Sequence, residues 1–264
     1  MLGPHSDAAF RLGENELHVW KLSLDAPTTR LEEANRVLTR QELTRFERIL
    51  APADRMRRTT ARVGLRVLLG SYLAIDPREV AVAYGLKGRP ELVGGHNLSF
   101  NLSHTADLAV FAIGRGRAVG VDIEALARRP PSVRLIARTL DPGESARVMR
   151  AGGRERTEAF LRYWTIKEAY AKAIGVGLAL DFRDVAVRGR AERPRLELAE
   201  RPRLELPAGD GEQWRVRRLR LRQGIIGAVV ADGAPWRMRV RELRLTDKRG
   251  ARLTGSGRLR HPLC

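Results

Sequence analysis

Two short segments carry residue types that could do chemistry together: VGVDIE, Val119 to Glu124, and WTIKEAYAK, Trp164 to Lys172. In the first, Val119, Val121 and Ile123 alternate with Gly120, Asp122 and Glu124, the two-residue period of a strand. Asp122 and Glu124 therefore project from one face. Adjacent carboxylates repel, so a strand presenting both is most comfortable where a cation or solvent screens them. In the second, Phe160, Leu161, Trp164, Ala169, Tyr170 and Ala173 recur at helical spacing, an apolar stripe that places Glu168 and Lys172 one turn apart. Taken singly, each segment has a plainer reading, a solvated strand end and an i,i+4 surface pair. Taken together, Asp122, Glu124 and Glu168 have the composition of a magnesium shell, in which hard oxygens at about 2.0 to 2.1 Å are completed by water and phosphate.

VGVDIE followed by FLRYWTIKEAYAKAIGVGL, with Phe160, Trp164, Lys167, Glu168, Ala169, Lys172, Gly175, Gly177 and Leu178 in place, resembles the 4'-phosphopantetheinyl transferases of the Sfp type. Either half alone is a weak signal; the pair at this separation is specific. HVWKLSLD resembles the family's opening strand, and LTRQELTRFERI with RMRRTTARVGLRVLLGSYL its first helices. KGRPEL, Lys87 to Leu92, resembles its Gly-Lys-Pro turn, with Arg89 where a lysine is common. FNLSHTADLAVFAIGRGRAVGVDIE resembles its central hairpin, and Asp141 to Glu144 its glutamate-bearing loop. The resemblance runs from about Leu17 to Ala231.

The resemblance implies transfer of the phosphopantetheine arm of coenzyme A, as co-substrate, to a serine of an apo carrier protein, with magnesium as cofactor and release of adenosine 3',5'-bisphosphate. Attack by a hydroxyl on a diphosphate asks for charge neutralisation, in-line positioning and removal of a proton. The carrier brings the nucleophile. By the same resemblance Asp122, Glu124 and Glu168 are metal positions, and Glu168 also falls where the serine is deprotonated. Lys172 would steady the phosphates and His104 would contact coenzyme A, which makes Glu168, Lys172 and His104 the catalytic candidates. Ser103 beside His104 joins the coenzyme-binding set. The plainer readings are a hairpin histidine held by a carbonyl and a turn hydroxyl. Arg89 is expected on the 3'-phosphate, its guanidinium matched to phosphate oxygens, with Arg62 joining from the preceding helix.

The elements that must position these residues read as two helix-then-strand blocks, an α+β fold of the α/β sandwich-like kind. A strand near His18–Leu24 leads into helical stretches over 30–50 and 54–74, then strands over 80–84, 98–102, 108–113 and 118–123. GRGR, Gly114 to Arg117, precedes a strand, so the spacing predicts a hairpin turn rather than a phosphate loop. After Arg128, Arg129, Pro130 and Pro131 comes a second helical block, then alternating runs at 182–187, 214–221 and 225–231. The resemblance implies two similar halves, residues 1–123 and 124–246, in a pseudo-twofold arrangement with the site between them. Two departures stand out. AERPRLEL occurs twice in succession over 191–206, expected as an inserted loop or hairpin extension. Trp236 to Val240 starts a further alternating run, expected as an edge strand, before a glycine- and arginine-rich stretch over 247–264 expected to be a flexible tail.

At 264 residues the chain can bury a sizeable core. No apolar run is long enough to span a membrane and no leader pattern opens the sequence, so a cytoplasmic monomer without a membrane partner is expected. The single cysteine, Cys264, excludes an internal disulfide and a CxxC metal site. Net charge is +18, and all but five of the 49 lysines and arginines are arginine. Such a field attracts acidic partners, and an acidic carrier and coenzyme A both suit it. Evenly spread arginine also fits base composition of the source genome. Aromatics at 5% and the lack of zinc-finger spacing argue against nucleic acid. Two other readings stay open on these residues: a catalytically inactive basic binding protein of the same fold, and another magnesium-dependent phosphotransferase.

Overall fold

The computed structural model describes residues 10–25, 36–85, 90–94, 96–126, 130–190, 193–198, 214–245 and 252–254. Among the described residues twelve strands fall in this order: β1 (Glu16–Ser23), β2 (Val82–Tyr84), β3 (Pro90–Leu92), β4 (Leu98–Thr105), β5 (Leu108–Arg115), β6 (Val119–Ala125), β7 (Val185–Arg190), β8 (Arg193–Leu198), β9 (Arg215–Arg218), β10 (Ile225–Ala231), β11 (Arg237–Arg244) and β12 (Arg252–Thr254). The helices are α1 (Arg40–Glu47), α2 (Pro52–Leu73), α3 (Val133–Thr139), α4 (Pro142–Arg150) and α5 (Gly153–Ala173). One five-stranded sheet runs β12-β11-β1-β5-β4, a second β6-β10-β9-β8-β7, and β2 pairs with β3.

Side-chain alternation stacks these elements in four layers. Trp20, Leu22, Phe111 and Ile113 face Leu65, Leu68 and Leu69 of α2. The other face of the same strands, Leu17, Val19, Val110 and Ala112, meets Val119, Val121, Ile123 and Val229 of the second sheet. Beyond that sheet, Val187, Val216, Ala228 and Val230 pack on Ile166, Ala169, Tyr170 and Ala173 of α5. β5 is apolar at nearly every position because it is covered on both faces, as a central strand between layers must be. The chain is thus α+β, with a long helix outside each of two facing sheets.

Four local expectations change. GRGR does not join paired strands: β5 pairs with β4 and β1, while β6 pairs with β10. The turn, with Gly116 at φ 62°, carries the chain from one sheet to the other. The run after Trp236 is a strand, but β12 lies outside it and it pairs parallel with β1 in the first sheet. β6 falls in the second sheet, so two strands cross the expected division between residues 123 and 124. Three residues of the expected tail, Arg252–Thr254, form β12. The first AERPRLEL copy supplies β8 in a hairpin with β7, and the second lies outside the described residues.

The two sheets meet at an unusual seam. β4 and β6 are both edge strands, and no backbone ladder joins them. Instead the Val121 N–H donates to Asn101 Oδ1 (3.0 Å), the Ile123 N–H to Ser103 Oγ (3.2 Å) and the Ala125 N–H to Thr105 Oγ1 (3.2 Å). Every second residue of one strand satisfies every second amide of the other, which removes the cost of buried unpaired donors. A parallel device pins α1 to α2 and α4 to α5. Glu42 closes the capping box of α1 and accepts from Arg62 Nε (2.6 Å) and Arg66 Nε (2.8 Å) of α2. Glu144 closes the capping box of α4 and accepts from Lys167 Nζ of α5 at 2.5 Å.

Candidate functional site

The site is built on Gly120. A Cβ there would lie 1.9 Å from Ala169 O and 2.6 Å from Ala173 N, so α5 crosses β6 in direct backbone contact. Val119, Val121 and Ile123 face the inter-sheet core, which leaves Gly120, Asp122 and Glu124 on the α5 side. One helical turn of α5 then contributes Glu168 and Lys172 to the same space. Lys172 Nζ donates to Asp122 Oδ1 (2.7 Å) and Val121 O (3.2 Å), and Ser103 Oγ donates to Asp122 Oδ1 (3.0 Å). Asp122 is only 5% exposed, and its Oδ2 is buried without a hydrogen-bond partner.

The carboxylates lie close enough to perturb one another. Burial raises the Glu168 carboxyl, Asp122 repulsion adds to this, Lys172 opposes it and Glu124 adds again, pushing it up to about 7. Burial also raises Asp122, against the pull of Lys172 and Ser103. Among the described residues no three His, Cys, Asp or Glu side chains stand in ready metal-holding geometry. The Lys172 ammonium supplies the counter-charge beside Asp122 instead. The donor set nonetheless fits a hard divalent cation: acidic oxygens from two elements, one of them buried and unpaired, in a space whose charge balance favours added positive charge.

His104 follows Ser103 on β4 and is exposed on the strand's other side. Partial burial and the positive charges of Arg58 and Lys172 hold its ring below the usual imidazole pKa. Arg62 does not reach this space: its guanidinium is committed to Glu42 and to the Tyr84 hydroxyl, over whose ring it lies at 5.7 Å. Arg89 lies outside the described residues.

Residues 118–222, which contain Asp122, Glu124, Glu168 and Lys172, match the 4'-phosphopantetheinyl transferase superfamily. The chain is 36% identical over 168 residues to the 4'-phosphopantetheinyl transferase HetI of Nostoc sp., covering 62% of this chain and 71% of the relative. The chain belongs to the 4'-phosphopantetheinyl transferase family. A phosphopantetheinyl transferase of Thraustochytrium sp. is 32% identical over 167 residues, 58% of this chain and 57% of that protein. Among solved structures, the holo-[acyl-carrier-protein] synthase of Thermotoga maritima aligns with 48% of this chain and 66% of its own at 22% identity, with a TM-score of 0.34. The protein is an enzyme of this family, which transfers phosphopantetheine to carrier proteins.

In this transferase the motif lysine next to Glu168 is structural. Lys167 is fully buried, with Nζ donating to Thr139 O (3.0 Å), Glu144 Oε2 (2.5 Å) and Phe182 O (2.8 Å). Glu144 also accepts the Val187 and Asp141 amides at 2.6 and 3.0 Å. Burial pushes the Glu144 carboxyl up and the Lys167 amine down, and their mutual attraction opposes both shifts. This lock sets the rotation of α5 and hence the direction of Glu168. Arg58, one turn before Arg62, is the arginine whose charge reaches His104. The sequence offered little to tell these arginines apart in a chain so rich in them.

Proposed function

We propose that this transferase takes its phosphopantetheine group from coenzyme A, holds magnesium between Asp122, Glu124 and Glu168, and releases adenosine 3',5'-bisphosphate. The observation that carries the reading is a half-buried glutamate raised to about 7 beside an aspartate whose outer oxygen is buried and unpaired. When bound, the cation would neutralise charge on the diphosphate. Glu168, in its carboxylate form, accepts the proton of the incoming serine hydroxyl as its oxygen attacks the phosphorus that bears the pantetheine arm. The P–O bond to the nucleotide's phosphate breaks, and adenosine 3',5'-bisphosphate leaves with the electron pair. Lys172 sits where it can move from Asp122 to a phosphate oxygen, and Arg58 adds positive charge near a His104 ring that burial and this field keep neutral. No nucleophile is required of this chain. Its net charge of +18 suits an acidic carrier.

The test is incubation with coenzyme A, magnesium and an apo carrier protein. The expected result is a carrier heavier by one phosphopantetheine group and stoichiometric adenosine 3',5'-bisphosphate. Consumption of coenzyme A without carrier modification, or modification unaffected by chelation of divalent cations, refutes the reading.

A further inference from the structure

Ser103 Oγ has a complete set of partners inside the protein. A hydroxyl offers one proton and two lone pairs. Here the proton goes to Asp122 Oδ1 at 3.0 Å, one lone pair accepts the Ile123 N–H at 3.2 Å, and the other accepts Lys172 Nζ at 3.3 Å. The side chain is buried, with the residue 7% exposed. While Lys172 holds this position, nothing remains for a ligand phosphate. The same three contacts tie together β4, β6 and α5. With Lys172 at 2.7 Å they also consume Asp122 Oδ1, so that Oδ2 is the oxygen left over.

We propose that Ser103 is a positioning residue that acts through Asp122: by holding Oδ1 and the β6 backbone at once, it presents Oδ2 to a divalent cation, and it does not contact coenzyme A. This departs from its sequence-based place in the coenzyme-binding set, and it rests on the reading of Asp122 as a cation ligand. An oriented carboxylate binds a cation without first losing rotamer freedom, and removal of such an outer partner commonly weakens metal affinity by about 10- to 100-fold.

The control lies in the same seam. Thr105 makes the equivalent bond to the Ala125 amide, while the bonds to Asp122 Oδ1 come from Ser103 and Lys172, so Thr105→Val removes seam stability alone. Manganese binding to the full chain, measured by electron paramagnetic resonance without substrate, is compared with the KM for coenzyme A. Ser103→Ala should weaken manganese binding about tenfold with the coenzyme A KM within about twofold of wild type. Thr105→Val should lower the melting temperature comparably and leave manganese binding unchanged. Ser103→Thr, which keeps the hydroxyl, should restore affinity. If Ser103→Ala does not fold, Ser103→Cys, similar in size but a weak donor, is read the same way. A raised KM with unaltered manganese binding overturns the inference and returns Ser103 to the ligand. Equal weakening by Thr105→Val reduces it to general seam stability and also overturns it. Wild-type protein that binds no manganese refutes the cation reading itself, a different failure from a Ser103 variant that binds as wild type.

Discussion

Lys167→Met tests how α5 is held. Methionine keeps most of the apolar stem and deletes the ammonium, so three buried acceptors, Thr139 O, Glu144 Oε2 and Phe182 O, lose their donor at once. Both side chains of the ion pair are 0% exposed, so solvent cannot replace the missing charge. Removing one member of such a pair costs about 3 to 5 kcal/mol. At roughly 2 to 4 °C per kcal/mol for a chain of this size class, the melting temperature should fall by about 6 to 20 °C. The loss should depend on pH in a defined direction. Without Lys167, the Glu144 carboxyl, already raised by burial, rises further above its unfolded value. The folded state then binds more protons than the unfolded state in that window, and stability falls as pH rises through it. The deficit should therefore be smaller near about pH 5 than near about pH 8. Adding Glu144→Gln removes the stranded charge and should recover at least about half the loss. Urea unfolding followed by circular dichroism reads all three quantities. A loss under about 1 kcal/mol, or a double variant no better than the single, would show that this pair is not what fixes the helix.

Three further outcomes follow from the same structure. Glu168→Gln should lower kcat for carrier modification by about 100-fold or more. The Glu168 carboxyl, up at about 7 in the cation-free protein, should be drawn down by bound magnesium, so the pH at which the wild-type rate climbs should fall as magnesium is raised; a rise that does not move with magnesium, scored by intact mass, counts against Glu168 as base. Gly120→Ala places a methyl group inside the α5 backbone, and should cost at least about 3 kcal/mol; soluble protein with a wild-type melting temperature would contradict the close crossing. His18, fully buried, is lowered from 6.5 to about 4 mainly by burial, with Arg241 adding to it. Because the unfolded chain protonates first, stability should fall as pH drops from 6.5 toward 4, by up to about 3 kcal/mol. Urea midpoints that do not decline over that interval, or that decline equally in His18→Gln, refute this.

Local periodicity revealed what local geometry controls. Strand alternation put Asp122 and Glu124 on one face because β6 is a regular strand with one side on the core, and the apolar stripe placed Glu168 and Lys172 a turn apart because α5 is unbroken. The role of Gly120 was not legible, since a glycine in a strand says nothing about which helix crosses it. Lys167 was equally silent: lysine in a helix ordinarily points to water, and only the tertiary fold supplies three acceptors in its path. The commitment of Arg62 to Glu42 was hidden for a related reason. Arg58 and Arg62 lie one turn apart on α2, and the capping glutamate of α1 selects which one becomes structural. The GRGR turn has the residues of a hairpin, while the partner of the next strand is chosen by packing that no four-residue window contains.

The parallel pairing of β1 with β11 has a bearing on how this chain is made. The contact between Glu16 and Arg239 spans 223 positions, whereas every strand of the second sheet lies between Val119 and Ala231. A ribosome therefore releases everything the second sheet needs before β11 emerges, and until then one edge of β1 waits bare. Long-range closure of this kind is slow and leaves a sticky border for other nascent chains. Stopping translation just short of β11 would yield an enzyme with its carboxylates assembled and a frayed flank prone to clumping.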